Sequence, residues 1–208
     1  MSRPIDYYFS LHSPWAFIGH AEFVALAARH GRPIVYKPVF LIELFEETGG
    51  LPLAKRHPAR QHYRMIELKR WRDRRGLDFH TVPKHWPFSP ALADRAVIAL
   101  AASGRDPEPF LTRAFAAAWQ DERDLADEAV VAELAQAAGH DGAALVDAAK
   151  GSATAATYAL NHADAVAAGV FGSPSYVVDG EVFWGQDRLD LVADMLASGR
   201  AALTAAPD

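Results

Sequence analysis

A serine and a proline at the start of a helix are the first residues in this sequence that could do chemistry. In the stretch DYYFSLHSPWAFIG, residues 6–19, an apolar strand passes into an apolar helix at Ser13 and Pro14. Pro14 suits a first helical turn because its missing N–H would have no partner there, and Ser13 is then the N-cap. Its hydroxyl lies at the positive end of the helix dipole, where it can donate a hydrogen bond to a bound anion. Helix capping alone would also explain this serine, so the rest of the chain has to decide.

Two other stretches place polar groups at the ends of apolar elements. Ser173 and Pro174 come directly before an apolar strand, although a proline that merely starts a strand is also common. In FWGQDRLD, residues 183–190, Gly185 ends a hairpin, and Gln186 and Asp187 fall at the start of the last helix. Free N–H groups at a helix start can bind a carboxylate, and an aspartate can bind an ammonium group. An α-amino acid head group needs both, whereas ordinary capping needs only the aspartate.

Composition excludes several classes of function. The chain has 208 residues, of which 50% are hydrophobic, with a net charge of −5 and no cysteine. Disulfides, thiolate metal sites and dithiol redox chemistry are therefore excluded. None of the nine histidines forms a helical metal-binding pair, so we expect no metal site. The acidic balance argues against nucleic acid as a partner, and with no signal peptide or membrane span recognisable we expect a soluble, cytoplasmic protein.

The order of elements divides the chain into three parts. The first part is a βαβ unit, with a strand over 5–10, a helix over 13–29 and a strand over 33–40. The middle part has almost no strand signal and is predicted to form helices over 58–75, 90–103, 107–120, 127–138 and 142–150. The last part is predicted as an alanine-rich helix over 152–169, a hairpin turning at Asp179 and Gly180, and a final helix from Gly185 to Gly199.

This layout predicts an α/β fold: a thioredoxin-like domain with an all-helical insertion. We expect residues 1–41 and 151–208 to form the thioredoxin-like domain and residues 42–150 to form the insertion domain. In such folds a reactive thiolate lies at the N-terminus of the first helix. The loop facing it has a cis proline, here Pro174, preceded by a residue that presents its backbone to an extended peptide. Since this chain has no thiol, Ser13 is interpreted as stabilising a thiolate that a cofactor brings.

Three stretches together resemble one known family. Ser13-Pro14 after a strand, AAWQDERDLAD in the helical part, and GVFGSPSYVVDGEVFWGQDRLD near the C-terminus are similar to the 2-hydroxychromene-2-carboxylate isomerases. These are relatives of kappa-class glutathione transferases with a DsbA-like fold. The resemblance implies a glutathione-dependent cis–trans isomerase of aromatic catabolism, acting on a small aromatic carboxylate and usually homodimeric.

The resemblance also assigns roles to individual residues. It implies that Ser13 is the catalytic serine beside the glutathione sulfur and that the backbone of Ser173, before Pro174, pairs with the cysteinyl unit. The γ-glutamyl end would be held by the segment Trp184, Gly185, Gln186 and Asp187.

The sequence departs from the family at positions of the expected substrate pocket. The family's Gly-Asn-x-Pro-Pro turn appears here as TGGLPL around Leu51, so the asparagine is missing, and Arg60 takes the place of a lysine. In HWPFSP, Trp86 supplies the aromatic residue and Ser89 replaces an asparagine. Arg60 belongs to a run of nine Lys or Arg between residues 55 and 75, a pattern typical of a solvated helix face. We single it out because arginine binds carboxylates with two parallel hydrogen bonds.

Two alternative functions remain open from the sequence. A kappa-like glutathione transferase would use the same thiolate irreversibly on electrophiles, and would turn over a chromogenic electrophile rapidly. A non-catalytic thioredoxin-like binding module would retain Ser13 without using it, and need not bind glutathione at all.

Overall fold

The fold is built on a four-stranded sheet in a computed structural model that describes residues 3–204. The strands are β1 (Ile5–Phe9), β2 (Ile34–Pro38), β3 (Ser175–Val178) and β4 (Glu181–Trp184). Their order is β2-β1-β3-β4: β1 runs parallel to β2 and antiparallel to β3, and β3 and β4 form the predicted hairpin. Tyr8 lies opposite Ser175 in the antiparallel pair. The end of β1 and the beginning of β3 therefore lie at the same edge of the sheet.

Nine α-helices surround this sheet within the described residues. They are α1 (Pro14–Arg29), α2 (Leu41–Thr48), α3 (Pro58–Arg75), α4 (Ala91–Ala102), α5 (Glu108–Trp119), α6 (Glu128–Ala137), α7 (Gly142–Lys150), α8 (Ser152–Ala167) and α9 (Leu189–Ser198). Short 3-10 turns cover Leu53–Lys55 and Gln186–Arg188. The predicted fold class, an α/β thioredoxin-like domain with inserted helices, is confirmed.

The structure differs from the sequence prediction at two places. Helix α2 was not predicted, although it follows directly on β2. The last helical segment does begin after Gly185, but as the 3-10 turn Gln186–Arg188, and the α-helix begins only at Leu189. Gln186 and Asp187 therefore belong to a turn that precedes α9. The division into a discontinuous domain and an insertion at 42–150 stays a prediction.

One apolar core joins the sheet to the helices of the middle part. Tyr7 and Phe9 of β1 are fully buried. The Tyr7 ring contacts Phe23 of α1 at 4.8 Å between centroids, and Phe9 contacts Phe115 of α5 at 6.1 Å. Burying each such side chain contributes roughly 1.5–3 kcal/mol. The helical part is thus packed on the strand that leads to Ser13.

No helix between residues 3 and 204 is both long and apolar enough to cross a lipid bilayer.

Gly19 lets α1 lie directly against the Gln186–Arg188 turn. A Cβ atom at Gly19 would come 2.6 Å from Gln186 Cβ and 3.1 Å from Tyr176 Oη. Both distances are shorter than van der Waals contact. The absence of a side chain at position 19 therefore sets how closely the turn approaches the helix that begins at Ser13.

We predict that Gly19→Ala destabilises the protein even though alanine is the better helix former. Overpacking costs about 1–3 kcal/mol, while helix propensity returns about 1 kcal/mol, so the free energy of unfolding should fall by up to about 2 kcal/mol in urea titrations. Ala21, exposed on the same helix, gives the control: Ala21→Gly should cost about 1 kcal/mol from propensity alone. A Gly19→Ala protein more stable than the parent would contradict the close packing.

Candidate active site

Ser13 is the N-cap of α1, as the sequence predicts. Its Oγ accepts a hydrogen bond from the Ala16 N–H at 3.3 Å, and Pro14 occupies the first turn. The hydroxyl donates its own proton to the Ser173 carbonyl oxygen at 3.0 Å. Ser13 is only 2% exposed. Capping is therefore one of two roles of this side chain, and the second joins it to the loop before β3.

Ser173 binds the loop between β1 and α1 through two different atoms. Its Oγ accepts a hydrogen bond from the Ser10 N–H at 3.0 Å, while its carbonyl accepts the Ser13 hydroxyl. The Ser173–Pro174 peptide bond is cis. The two loops that sequence analysis assigned to the site are thus in direct contact, although 160 residues separate Ser13 from Ser173.

The N-terminus of α1 keeps one N–H group for a ligand. Pro14 has no N–H, and the N–H groups of Ala16 and Phe17 are bonded to the side chain and the carbonyl of Ser13. The N–H of Trp15 remains. Together with the helix dipole it favours a negative charge beside Ser13.

The turn after β4 lies next to the same loops. Gly185 has a φ of +106°, which favours glycine, and its N–H donates to the Pro174 carbonyl at 2.9 Å. Gln186 is buried, and its Oε1 accepts a hydrogen bond from Arg75 Nη2 at 3.3 Å. Asp187 is half-exposed and pairs with Arg188 Nη1 at 2.6 Å. The structure therefore brings Gly185 and Gln186 to the Ser13 region, and leaves the Asp187 carboxylate open to solvent.

Trp184 lies at the outer side of this turn. Its ring is 51% exposed and packs against Phe171, with 4.7 Å between ring centroids. A Cβ atom at Gly172 would lie 2.3 Å from Trp184 Nε1. Trp184 therefore covers the backbone just before Ser173.

An open cleft of about 380 Å³ lies beside the first turn of α1. Its lining comes from α1, α3 and the residues before α3: Trp15, Arg56, Ala59, Arg60, Tyr63, Arg64 and Glu67. Arg60, the predicted carboxylate ligand, is exposed in it. The spacing of four residues along α3 places Arg60 and Arg64 on one helix face. The two arginines thus place positive charge in the cleft, beside the first turn of α1.

Arg64 was not singled out from the sequence, yet it is the more deeply placed of the two arginines. Burial, together with the charge of Arg56, lowers its pKa to about 10, so it stays a cation at neutral pH. Its guanidinium lies 5.4 Å from the centre of the Trp86 ring. Nothing in the sequence distinguishes Arg64 from the other cations of the run, because only the packing shows which of them face the cleft.

Trp86 contacts two residues of this region but does not line the cleft. Its ring stacks on His12 at 5.3 Å and lies under Arg64. Burial, and then the charge of Arg64, lowers the pKa of His12 to about 4. His12 is therefore neutral at pH 7, and the positive charge near Ser13 comes from the arginines.

Leu51 and Ser89, the other two predicted substrate residues, do not line the cleft. The side chain of Leu51 is 52% exposed, and its carbonyl accepts a hydrogen bond from Arg56 Nε at 2.6 Å. Ser89 is exposed in the segment before α4. The structure therefore brings Arg60, and indirectly Trp86, to the cleft, and leaves these two residues outside its wall.

Asp94 of α4 is a site neighbour that sequence reasoning missed. Its Oδ1 accepts a hydrogen bond from the Leu11 N–H at 3.2 Å, and its Oδ2 accepts one from the Tyr158 hydroxyl at 2.9 Å. Burial raises its pKa to about 8, and the hydrogen bonds oppose this shift. The signal was present in the sequence as a single acid within the apolar stretch ALADRAVIAL.

The polar groups of the two loops and the turn fit a small peptide that carries a thiol. The Trp15 N–H and the Ser13 hydroxyl suit an anionic sulfur, and the Ser173 backbone suits a peptide unit. Asp187 suits an ammonium group. Beside Gln186, the buried Nε of Arg75 has no hydrogen-bond partner, although the same side chain contacts Glu22. Arg75 therefore offers a donor that a carboxylate could satisfy.

Known proteins resemble this chain over most of its length. Residues 4–197 match the family described as DSBA-like thioredoxin domain. The 2-hydroxychromene-2-carboxylate isomerase of Sphingobium xenophagum is 31% identical over 198 residues, covering 94% of this chain and 99% of the relative. Among solved structures, a 2-hydroxychromene-2-carboxylate isomerase aligns with a TM-score of 0.79 at 22% identity, covering 93% of this chain and 94% of that one. The cytosolic disulfide reductase DsbM of Pseudomonas aeruginosa, solved with GSH, aligns with a TM-score of 0.68 at 19% identity, covering 94% and 98%.

Both the family match and the relative extend over most of the chain, and together they include the Ser13 loop, the Ser173–Pro174 loop and the turn after β4. The chain belongs to the 2-hydroxychromene-2-carboxylate isomerase family and is an isomerase with the DsbA-like thioredoxin fold.

Proposed function

We propose that this protein is a glutathione-dependent isomerase. Its substrates would be compounds of the 2-hydroxychromene-2-carboxylate type and the trans-o-hydroxybenzylidenepyruvate type, which it interconverts in aromatic catabolism. The proposal is supported by the activity named for the Sphingobium relative and by a DsbM structure solved with GSH. The observation that carries it is the Ser13 hydroxyl at the N-terminus of α1, in contact with Ser173, in a chain without cysteine.

Glutathione would supply a thiolate that adds reversibly to a conjugated double bond and so lets that bond rotate. The chain's contribution is to keep negative charge on the sulfur near neutral pH. The Ser13 hydroxyl, the Trp15 N–H and the α1 dipole all act at this place. Each unit by which they lower the thiol pKa corresponds to about 1.4 kcal/mol.

The Ser13 hydroxyl can donate a hydrogen bond to a sulfur only after it breaks its hydrogen bond to the Ser173 carbonyl. The hydroxyl rotates freely about its C–O bond, but a buried carbonyl that loses its donor costs about 1–3 kcal/mol. A peptide N–H of the ligand compensates this cost when it donates to the Ser173 carbonyl. Ligand binding and the turning of the Ser13 hydroxyl are therefore coupled through one acceptor atom.

The arginines of the cleft would hold the carboxylate of the substrate. Arg60 and Arg64 face one space with the rings of Trp15 and Tyr63. Arginine binds carboxylates with charge-assisted hydrogen bonds, and aromatic side chains pack against a planar substrate. Since Trp15 directly follows the Ser13-Pro14 pair, a substrate held there lies beside the sulfur site. Positioning of this kind contributes much of the rate of two-partner reactions.

A direct test follows the absorbance of a hydroxychromene carboxylate with and without glutathione. Isomerisation that requires catalytic amounts of glutathione and does not consume it supports the proposal. Stable conjugates with electrophiles, without isomerisation, would indicate a kappa-like transferase instead. Calorimetry without any glutathione binding would indicate a non-catalytic module.

We predict that Ser13→Ala raises the thiol pKa of bound glutathione by about one unit, because the sulfur loses a hydrogen-bond donor. That shift corresponds to about 1.4 kcal/mol, and it should appear in a thiolate absorbance titration of the complex. Activity at neutral pH should fall about tenfold and recover in part at higher pH, where the thiolate forms without help.

Asp127→Ala is the matched control for Ser13→Ala. Asp127 caps α6 by accepting the Ala129 N–H at 2.8 Å, so both variants should lose about 1 kcal/mol of stability from a missing cap, and Ser13→Ala should lose more because the buried Ser173 carbonyl also loses its donor. Only Ser13→Ala should move the thiol titration. If both variants titrate like the parent, Ser13 does not stabilise the thiolate and its roles are structural.

We predict that Asp187→Ala weakens glutathione binding by roughly 1–3 kcal/mol, the range for hydrogen bonds to charged groups. The reason is the loss of the carboxylate that would hold the γ-glutamyl ammonium group. Calorimetry measures the affinity, and Asp194→Ala, which removes an exposed carboxylate from α9, should leave it unchanged. An unaltered affinity in Asp187→Ala would remove this residue from the head-group site.

We predict that Arg60→Gln and Arg64→Gln each raise KM for a carboxylate substrate about tenfold while glutathione affinity stays the same. Each substitution removes a charged partner of the carboxylate, and neither changes a residue that would hold glutathione. Steady-state kinetics give the KM, and Lys69→Gln, exposed on the same helix, is the control. An unchanged KM in both arginine variants would place the carboxylate elsewhere.

A further inference from the structure

The loop that presents Ser13 is held by side chains from the helical part of the chain. The Leu11 N–H donates to Asp94 Oδ1 at 3.2 Å, and the Leu11 carbonyl accepts a hydrogen bond from Trp119 Nε1 at 3.0 Å. Asp94 lies on α4 and Trp119 ends α5, and both side chains are fully buried. Both backbone groups of Leu11, two residues before Ser13, are thus fixed from outside the sheet.

Asp94 is unusual among the acids of this protein. It is the only buried Asp or Glu between residues 3 and 204. Tyr158 of α8 donates to its Oδ2 at 2.9 Å, and the Ser10 side chain acts to lower the pKa of the carboxyl group. Its partners are donors from the loop and from α8. Burying a carboxyl group costs free energy of folding, and hydrogen bonds from these donors offset part of that cost.

We propose that Asp94 is a positioning residue for Ser13: its carboxyl group accepts the Leu11 N–H and so fixes the loop that presents the Ser13 hydroxyl. The catalytic part of this inference rests on the proposed function. The structural part, a loop whose hydrogen bond depends on the charge of Asp94, does not.

The link between Asp94 and the loop should depend on pH. A hydrogen bond to an ionised carboxylate is stronger and shorter than one to a neutral carboxyl group. Burial raises the pKa of Asp94 to about 8, so the carboxyl is mostly neutral at pH 7. As the pH rises through about 8, it ionises and the bond to Leu11 strengthens.

Other charged groups near this carboxyl also affect its donor, Tyr158. Burial, and then Asp94 itself, raises the pKa of Tyr158; Glu43 of α2 adds to this shift and Arg95 of α4 opposes it. Lys37 of β2 is paired with Asp6 and Asp164 instead. Glu108 of α5 bonds to Thr112 and acts on Tyr36. The remaining charged side chains of α5, α6 and α7 are exposed: Arg113, Glu128, Glu133, Asp147 and Lys150.

We predict that the amide of Leu11 titrates with Asp94 in the ligand-free protein. Its ¹⁵N and ¹H chemical shifts, followed from about pH 6 to about pH 10, should change with a midpoint near 8. Asp94→Asn should abolish this change, and Tyr158→Phe should move the midpoint to higher pH because the carboxylate loses a donor. A Leu11 amide that does not titrate in the parent would overturn the proposal, whatever the activity of the enzyme.

Kinetics give the second readout. Asn resembles a neutral carboxyl group, so kcat of the parent and of Asp94→Asn should be nearly equal below about pH 7. The ratio should rise to about three- to tenfold in favour of the parent above about pH 9, with glutathione affinity changed less than twofold. A merely structural role predicts the same ratio at every pH, and that result would also overturn the proposal.

Two controls separate this inference from the proposed function and from misfolding. Asp147→Asn removes an exposed carboxylate on α7 and should leave both readouts unchanged. If Asp94→Asn does not fold, Tyr158→Phe decides: a higher midpoint supports the proposal and an unmoved one refutes it. If the Leu11 titration is found but no isomerase activity exists, the loop contact holds and the proposed function fails.

Discussion

The hydrogen bond between the Ser13 hydroxyl and the Ser173 carbonyl joins the two loops on which the whole site is built. The antiparallel pairing of β1 with β3 makes this contact available, because it puts the end of one strand beside the start of the other. Ser173 Oγ adds a second link by accepting the Ser10 N–H. With two buried polar contacts between them, neither loop can shift without leaving donors or acceptors unsatisfied, which is costly in a site with little exposure to water.

The helical part of the chain shapes the site as much as the sheet does. Helices α4 and α5 fix Leu11 through Asp94 and Trp119, while α3 supplies the arginine wall of the cleft. These helices are held in position because they share an apolar core with the sheet, in which Phe9 of β1 packs against Phe115 of α5. Helices α3, α4 and α5 therefore shape the space beside Ser13, and Ser13 itself lies between β1 and α1.

The charge around the site is opposite in sign to the net charge of the whole protein. The chain carries a net charge of −5, yet Arg60 and Arg64 line the cleft and the α1 N-terminus points toward the same region. His12 adds no charge, because burial and the nearby Arg64 lower its pKa to about 4. An anionic substrate and an anionic sulfur would thus meet a locally positive surface that depends little on pH near neutrality.

The sequence by itself determined the fold class and the two loops of the site. Strand and helix periodicity, proline at a helix start, and the Asp179–Gly180 turn are local signals, and each depends on residues only a few positions apart. The lack of cysteine excluded dithiol chemistry in the same direct way. Helix α2 ends at a typical glycine cap, Gly49, but neither α2 nor the 3-10 turn at Gln186 has a side-chain cap at its start, and packing on neighbours decides such boundaries.

Which polar residues come into contact depends on the tertiary structure. Among the nine cations of the run, the packing places Arg64 against Trp86 and puts it in the cleft lining with Arg56 and Arg60. Leu51 and Ser89 fall outside the cleft lining although their sequence positions suggested otherwise. Asp94 reaches Leu11 across 83 residues, and no local pattern reports a contact of that range. Long-range side-chain contacts depend on how helices pack on the sheet, and this packing is settled by the fit of many side chains together rather than by any short stretch of sequence.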